Sequence, residues 1–405
     1  MMGRVQHTRR TLLLGVAVSL LNGPTLPAKA APIEAPPVAP AKPNSAAPGA
    51  VPTTTPGLVA LLRGDIEGRR FVGDAGFGVR LANGTIVNFF GDTLVSPTGN
   101  PAYPEAAAQI PYVMRNSATV ILPSGRIRSA AQNARLLAGR PLFEVPARDQ
   151  VADGLNFYWP TSATTAIDPA TGKEVMLLLL AHMYDTNFNA TSSREKVWSF
   201  RQISSRLATV TVAADGSLKL LSLTRTPMPA ITVDGIAWGA ATLVDRSYLY
   251  VFGSHKPEGK FIWGYDYYLA RVPLASRATV SAWRYWTGSG WSAEGDQSAI
   301  IMPYRWGVES AISLRRDPVT RKFTFVTKEF SFLGKRILRG RAPALTGTWS
   351  LDPNPVAVLT DWDDNDMTYL AHEVPLGGGR VGTIISHGNR SLMTPSDRLG
   401  IFAVP

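Results

Sequence analysis

One β-hairpin recurs five times along the chain at shrinking intervals, and short β-branched or aromatic runs alternate with Gly, Asn, Asp and Pro turns. These observations predict an all-β fold, a five-bladed β-propeller preceded by a signal peptide and a disordered Pro/Ala-rich tether. The copies begin at Asp74, Thr161, Trp238, Glu309 and His372, at intervals of 87, 77, 71 and 63 residues. A four-stranded blade takes about 40–50 residues. Each interval therefore holds one blade and an insertion, longest in the early blades.

The first hairpin runs from Gly73 to Leu81, turns at Ala82-Asn83-Gly84, and returns from Ile86 to Thr93. Further strands are predicted at Thr119 to Leu122, Val175 to Leu180, Tyr248 to Phe252, Lys322 to Thr327 and Val381 to Ile385. Turn chemistry punctuates them at Asp168-Pro169, Asp317-Pro318 and Gly377-Gly378-Gly379. Small residues open the hairpins, as in Ala75-Gly76, Ser162-Ala163, Gly239-Ala240 and Ser310-Ala311. They suit innermost strands, where blades converge and large side chains do not fit.

Three segments precede or make up the fold. Residues 1–30 read as a twin-arginine signal peptide: Arg9-Arg10 stands before an apolar run, and Ala28-Lys29-Ala30 offers a small-x-small cleavage site. The expected route is twin-arginine export, to a periplasmic or extracellular location. Residues 31–57 are a Pro, Ala and Thr-rich linker with too little apolar surface to fold. Residues 58–405 form the propeller, with no integral membrane segment expected in the mature protein.

Composition excludes several classes of function. Of the 41 basic residues four lie in residues 1–30, leaving 37 against 30 acidic side chains. That modest excess, without a basic block carrying aromatics, argues against nucleic acid. The absence of cysteine excludes disulfides, thiol catalysis and thiolate-bound metals. There is no Gly-x-Ser-x-Gly elbow, P-loop or His-Glu-x-x-His, and Gly288-Ser289-Gly290 reads as a turn between strands.

In a hairpin, the start of the first strand and the end of the second lie at one end. The expected inner ring at that mouth is Asp74, Thr161, Trp238, Glu309 and His372; a second ring is Asp92, His182, His255, Lys328 and His387. Titratable groups gathered at one opening are the usual mark of a site. Asp74 and Asp92 lie on adjacent strands, and neighbouring carboxylates separate in pKa, as glycosidic cleavage requires of an acid and a base or nucleophile. The opposing reading makes Asp92 a turn cap. Glu309 is the third candidate catalytic carboxylate, or else an ion-pair partner of Lys328. Trp159, Trp238 and Trp306 offer apolar faces for sugar rings. With Thr161, His182, His255, Lys328, His372 and His387 they are the expected substrate-binding set. The histidines would suit a structural divalent metal at the mouth, but no His-x-x-x-His pair stands out, so no metal ligand is assigned and no cofactor is required.

Several motifs carry a family resemblance over residues 60 to 400. Val72-Gly73-Asp74-Ala75-Gly76-Phe77, Asn88-Phe89-Phe90-Gly91-Asp92-Thr93, Met114-Arg115-Asn116-Ser117 and Tyr158-Trp159-Pro160 resemble the bacterial domain of unknown function 4185. So do Trp238-Gly239-Ala240-Ala241, Ala270-Arg271-Val272-Pro273 and the run from Trp283 to Trp291. That resemblance implies a five-bladed propeller. Part of that family is classed as glycoside hydrolase family 183, endo-acting D-arabinanases of mycobacterial-type envelopes. It implies catalytic aspartates at Asp74 and Asp92. The chain departs from the pattern where Thr161 and Ser162 follow Pro160 in place of an acid, and in its last blade at Ala371-His372-Glu373-Val374. The expected function is an exported glycoside hydrolase cleaving D-arabinan-like polysaccharide with two carboxylates. The alternatives are a carbohydrate-binding propeller without catalysis and a metal-dependent hydrolase.

Overall fold

Apolar alternation explains how the five sheets stack. In the run Glu174–Asp185, Met176, Leu178 and Leu180 pack toward one neighbouring blade, while Val175, Leu177 and Leu179 pack toward the other. A strand buried on both faces reads as a continuous apolar run, and this one does. The computed structural model describes residues 50–66, 69–97, 113–129, 141–185, 200–227, 235–258, 264–332, 334–360, 366–389 and 400–404. The expected signal peptide and most of the expected linker lie outside the described residues.

The architecture is an all-β, five-bladed propeller. Blade one runs outward from the axis through Phe77–Arg80, Ile86–Phe90, Ser117–Ile121 and Ile127–Ser129. Blade two uses Leu155–Ile167, Glu174–Asp185, Phe200–Val212 and Leu218–Arg225. Phe157-Tyr158-Trp159 falls inside this innermost strand. Blade three uses Ala237–Asp245, Tyr248–His255, Asp266–Pro273, Arg284–Trp286 and Trp291–Ser292, with the turn at Gly288-Ser289-Gly290 between the last two. Blade four uses Ser313–Arg316, Phe323–Lys328 and Arg336–Ala342, whose outer edge pairs with both Ser350–Leu351 and Ala357–Val358. Blade five has three strands among the described residues: Asp366–Pro375, Val381–Asn389 and Gly400–Ala403.

One apolar cluster fills each seam between blades. The seam that closes the ring, between blades five and one, is the unusual one. Ile86, Phe90 and Ile121 face Val374, Leu376, Ile384 and Ile401, and the helix Thr55–Leu62 inserts Leu58, Val59 and Leu62 between them. This helix begins inside the segment read as linker. Thr54 caps it by accepting the Gly57 N–H at 3.3 Å, and a proline stands in its first turn. The Gly377 N–H donates to the Pro52 carbonyl at 2.6 Å, tying the chain ahead of the helix to blade five.

Blade one is also extended. Beyond Asp74-Ala75-Gly76, Gly91-Asp92 and Arg115-Asn116 its three inner strands continue as Arg69–Gly73, Thr93–Pro97 and Val113–Met114, joined by Asp65–Ile66. The hairpin expected as two unbroken strands is therefore broken in the middle. The break stays hydrogen-bonded: Asp74 N–H donates to Asp92 O at 3.0 Å, and Gly91 N–H to Asp74 O at 2.9 Å.

Candidate active site

Each blade is interrupted where its expected inner-ring residue stands. Ala75 (φ +50°) marks the break in blade one, and Leu370 (φ +52°) lies in a bulge on blade five. Thr161 is skipped by the ladder of blade two, and Gly239 (φ +117°) lies in the bulge of blade three. In blade four residues 309–312 lie between the Val308–Glu329 bridge and the ladder starting at Ser313. Bulges release backbone groups from their own sheet. Here several of them bond to the next blade. Ser162 Oγ donates to Gly239 O at 2.9 Å, Ile312 N–H to Ala240 O at 3.0 Å, and Ala75 N–H to Ser386 Oγ at 2.8 Å. Gly239 must be glycine twice over: its φ is positive, and a Cβ there would stand 2.6 Å from Thr161 Oγ1.

The five interruptions border one cavity of about 330 Å³. That volume lies within the range of small-molecule clefts, roughly 300–1,000 Å³. Asp74, Asp92, Trp159, Thr161, Trp238, Glu309 and His372 all line it. The sequence-predicted inner ring is therefore assembled whole.

Asp92 does not cap backbone donors. Arg115 Nη1 reaches its Oδ2 at 2.9 Å and Trp159 Nε1 its Oδ1 at 2.8 Å. Its side chain keeps 30% exposure, so it remains open to the cavity. Asn116 sets this arrangement by clamping two blades: its Nδ2 donates to Tyr158 O at 2.8 Å and to Phe143 O, while its Oδ1 accepts the Phe143 N–H. The adjoining Trp159 is thereby aimed at Asp92. Asp74 Oδ2 accepts a hydrogen bond from Tyr369 Oη at 2.9 Å. A Cβ on Gly91 would stand 2.9 Å from Asp74 Oδ1, so a larger residue there would displace the Asp74 carboxyl.

The two environments differ electrostatically. Burial, and then the neighbouring Asp92 charge, push Asp74 up to about 7. Burial raises Asp92 as well, but the Arg115 guanidinium and the Trp159 N–H oppose it, so Asp92 ionises first. Tyr369 is held well above its ordinary range by burial and by the Asp74 carboxyl, so its hydroxyl remains a donor. Because the folded chain binds the Asp74 proton more tightly than the unfolded one, the linked stability is present below about pH 4 and lost as pH rises through about 7. Asp74→Asn is therefore expected to leave Tm unchanged near pH 4 and to raise it by roughly 1–3 °C at pH 8. Thermal melts across that range check this; a difference that ignores pH would contradict it.

Glu309 borders the cavity but is only 1% exposed. Both oxygens are engaged: Oε1 accepts Ser331 Oγ at 3.2 Å, and Oε2 accepts the Leu370 N–H at 2.8 Å. Burial pushes it up to about 7 against the pull of the neighbouring Lys328 charge. Lys328, fully buried, does not line the cavity; its Nζ donates to the Ser331 carbonyl. His372 Nδ1 donates to Gly76 O at 3.0 Å, leaving Nε2 as an acceptor, and burial pushes its pKa down to about 4.

The other predicted binding residues are not brought to the cavity. His182 packs edge-on against Tyr158, with ring nitrogens 3.2 Å from Ser204 Oγ and Asn156 Oδ1, and burial lowers it to about 4. His255 stands opposite Asp266, His387 lies edge-on to Phe402, and Trp306 packs in the seam between blades three and four. Among the described residues no group of three or more His, Asp or Glu is arranged to hold a metal ion. Two residues central to the site, Tyr369 and Arg115, were not among the sequence candidates. Arg115 sits three residues before Ala118 in a recognisable motif, but nothing in it showed a charge aimed at Asp92. Tyr369 comes from a strand whose bulge has no local signal.

Fold and site define a class: a five-bladed propeller with an acid pair at an axial cavity. The chain belongs to the family described as a domain of unknown function, DUF5005, whose profile matches residues 69–372, about three quarters of its length. This is a different family from the 4185 domain that the motifs resemble. No curated protein matches the chain. A solved structure of a candidate hydrolase from Bacteroides ovatus ATCC 8483 is similar at a TM-score of 0.60 and 17% identity, covering 85% of this chain and 87% of that one. The catalytic domain of a GH62 α-L-arabinofuranosidase from Coprinopsis cinerea gives 0.43 and 11%, covering 82% and 88%. A GH43_1 enzyme from Xanthomonas citri in complex with xylotriose gives 0.40 and 10%, covering 82% and 86%. The first of these shows a shared fold. Among the described residues no helix is long and apolar enough to cross a membrane.

Proposed function

We propose that the protein is an exported glycoside hydrolase that cleaves furanosidic, D-arabinan-like polysaccharide. The observation that carries this reading is the carboxyl pair at the break in blade one, held in unlike environments beside an open cavity. Unlike environments assign the roles. Asp74, the more proton-retaining group, gives its proton to the glycosidic oxygen as the bond to the anomeric carbon breaks. Asp92, ionised, either takes a proton from the attacking water or bonds first to the anomeric carbon, water then releasing the sugar. Trp159 and Trp238 supply apolar faces for the ring. The resemblance to the 4185 domain supports the choice of arabinan, and the twin-arginine pattern supports export.

Purified protein incubated with D-arabinan and with other cell-wall glycans tests the reading by the oligosaccharides released. No release from any glycan, with binding retained, would select a carbohydrate-binding propeller instead. The roles also fix the pH dependence. The rate should fall as pH rises through about 7, where Asp74 loses its proton, and fall on the acid side as Asp92 gains one. Arg115→Met removes the charge that favours ionised Asp92, so the acid limb should move to higher pH while the alkaline limb moves little. A pH–rate profile of both proteins measures this; an unmoved acid limb would contradict the assignment.

A further inference from the structure

We propose that Glu309 is a positioning residue that acts through blade five: it sets the Tyr369 hydroxyl against Asp74 and does not itself touch substrate. This rests on the reading of Asp74 as the acid. The chain of contacts crosses three blades. Glu309, on blade four, accepts the Leu370 N–H at 2.8 Å. Leu370 has φ +52°, a backbone state that a branched side chain avoids and that persists only where surroundings hold it. Tyr369 immediately precedes it and donates to Asp74 at 2.9 Å on blade one. The same knot on blade four controls Tyr369 from a second side. Ser331 donates to Glu309, Lys328 donates to the Ser331 carbonyl, and Phe330 and Ser331 are both at positive φ. That turn places Phe332 against the Tyr369 ring, with centroids 5.2 Å apart.

The burial of Glu309 and Lys328 has no other evident use. Replacing buried charged groups by apolar residues is often neutral or stabilising, so stability alone does not explain it. A fixed acceptor for Leu370 does. The groups acting electrostatically on Asp74 are Asp92, Arg115 and Tyr369; those on Glu309 are Lys328, Ser331 and the Leu370 amide. Tyr369 is the link from one set to the other.

A phenol donating to a carboxylate favours its ionised form. Loss of that bond therefore raises the Asp74 midpoint. The experiment is a carboxyl-carbon NMR titration of Asp74 in the full chain, which reads the site whether or not the protein hydrolyses arabinan. Tyr369→Phe should raise the midpoint by about 0.5–1 pH unit. Glu309→Ala should raise it by as much, and the two together by no more than either alone. Glu309→Gln, which keeps an acceptor for Leu370, should restore the native midpoint. If Glu309→Ala does not fold, Glu309→Leu with Lys328→Met replaces the whole pair and should show the same rise. An unmoved midpoint in Glu309→Ala or in the pair replacement, an equal rise in Glu309→Gln, or additivity with Tyr369→Phe would overturn the proposal. Failure of arabinan cleavage with these shifts present would overturn the substrate reading alone.

Discussion

Asp92→Asn is expected to lower the rate of glycan cleavage at least about 10³-fold, with circular dichroism unchanged. Asparagine fits the space but keeps one acceptor oxygen for the two N–H donors, Trp159 and Arg115, that face the native carboxylate, and its Nδ2 stands against the other. It cannot attack carbon or take a proton from water. Asp74→Asn removes only the acid, so its effect should be about 10²–10⁴-fold and should shrink for substrates with a good leaving group, which need no proton. Initial rates on arabinan and on an aryl arabinofuranoside separate the two roles. Activity within tenfold of native in either variant would remove that aspartate from the mechanism.

Leu58→Ala should cost about 3 kcal/mol of stability, within the roughly 2–5 kcal/mol range of buried Leu-to-Ala changes. Leu58 is fully buried, between strands of blades one and five. Among the described residues the seam it fills is closed by a helix and not by an exchanged strand, so packing there carries the joint. Tm should fall by roughly 5 °C. Ala60→Gln, on the exposed face of the same helix, should change stability by less than about 0.5 kcal/mol. Denaturant unfolding of the two variants checks the contrast; equal effects would show that the helix is not a wedge. The seam also separates Asp74 from Tyr369, so Leu58→Ala should lower activity before it unfolds the protein.

Much of this was legible in the sequence because it is local. The turn at Asn83-Gly84, the apolar run at Val175 to Leu180 and the small residues opening each hairpin depend on near neighbours alone. The inner ring was legible for the same reason, since repetition places corresponding residues at one level. The second ring was less so. His182 and His255 do end second strands, but side chains alternate along a strand, and it is their neighbours Ala181, Met183 and Ser254 that face the cavity. Tyr369 and the Glu309–Leu370 bond were illegible because each depends on a bulge whose partner lies on another blade. The helix at Thr55–Leu62 was hidden by composition: its Pro and Thr read as linker, while they serve as its cap and first turn. The expected export signal lies outside the described residues, and its test is the site of N-terminal processing.

The wedge has a mechanical consequence. Tension applied through the chain ahead of Val51 is delivered first to the Pro52–Gly377 hydrogen bond and then to the helix lodged in the closing seam. The load thus falls on the joint between blade five, which holds Tyr369, and blade one, which holds both aspartates. A protein pulled from that end would open like a clasp, and Asp74 would lose its Tyr369 donor before any blade came apart.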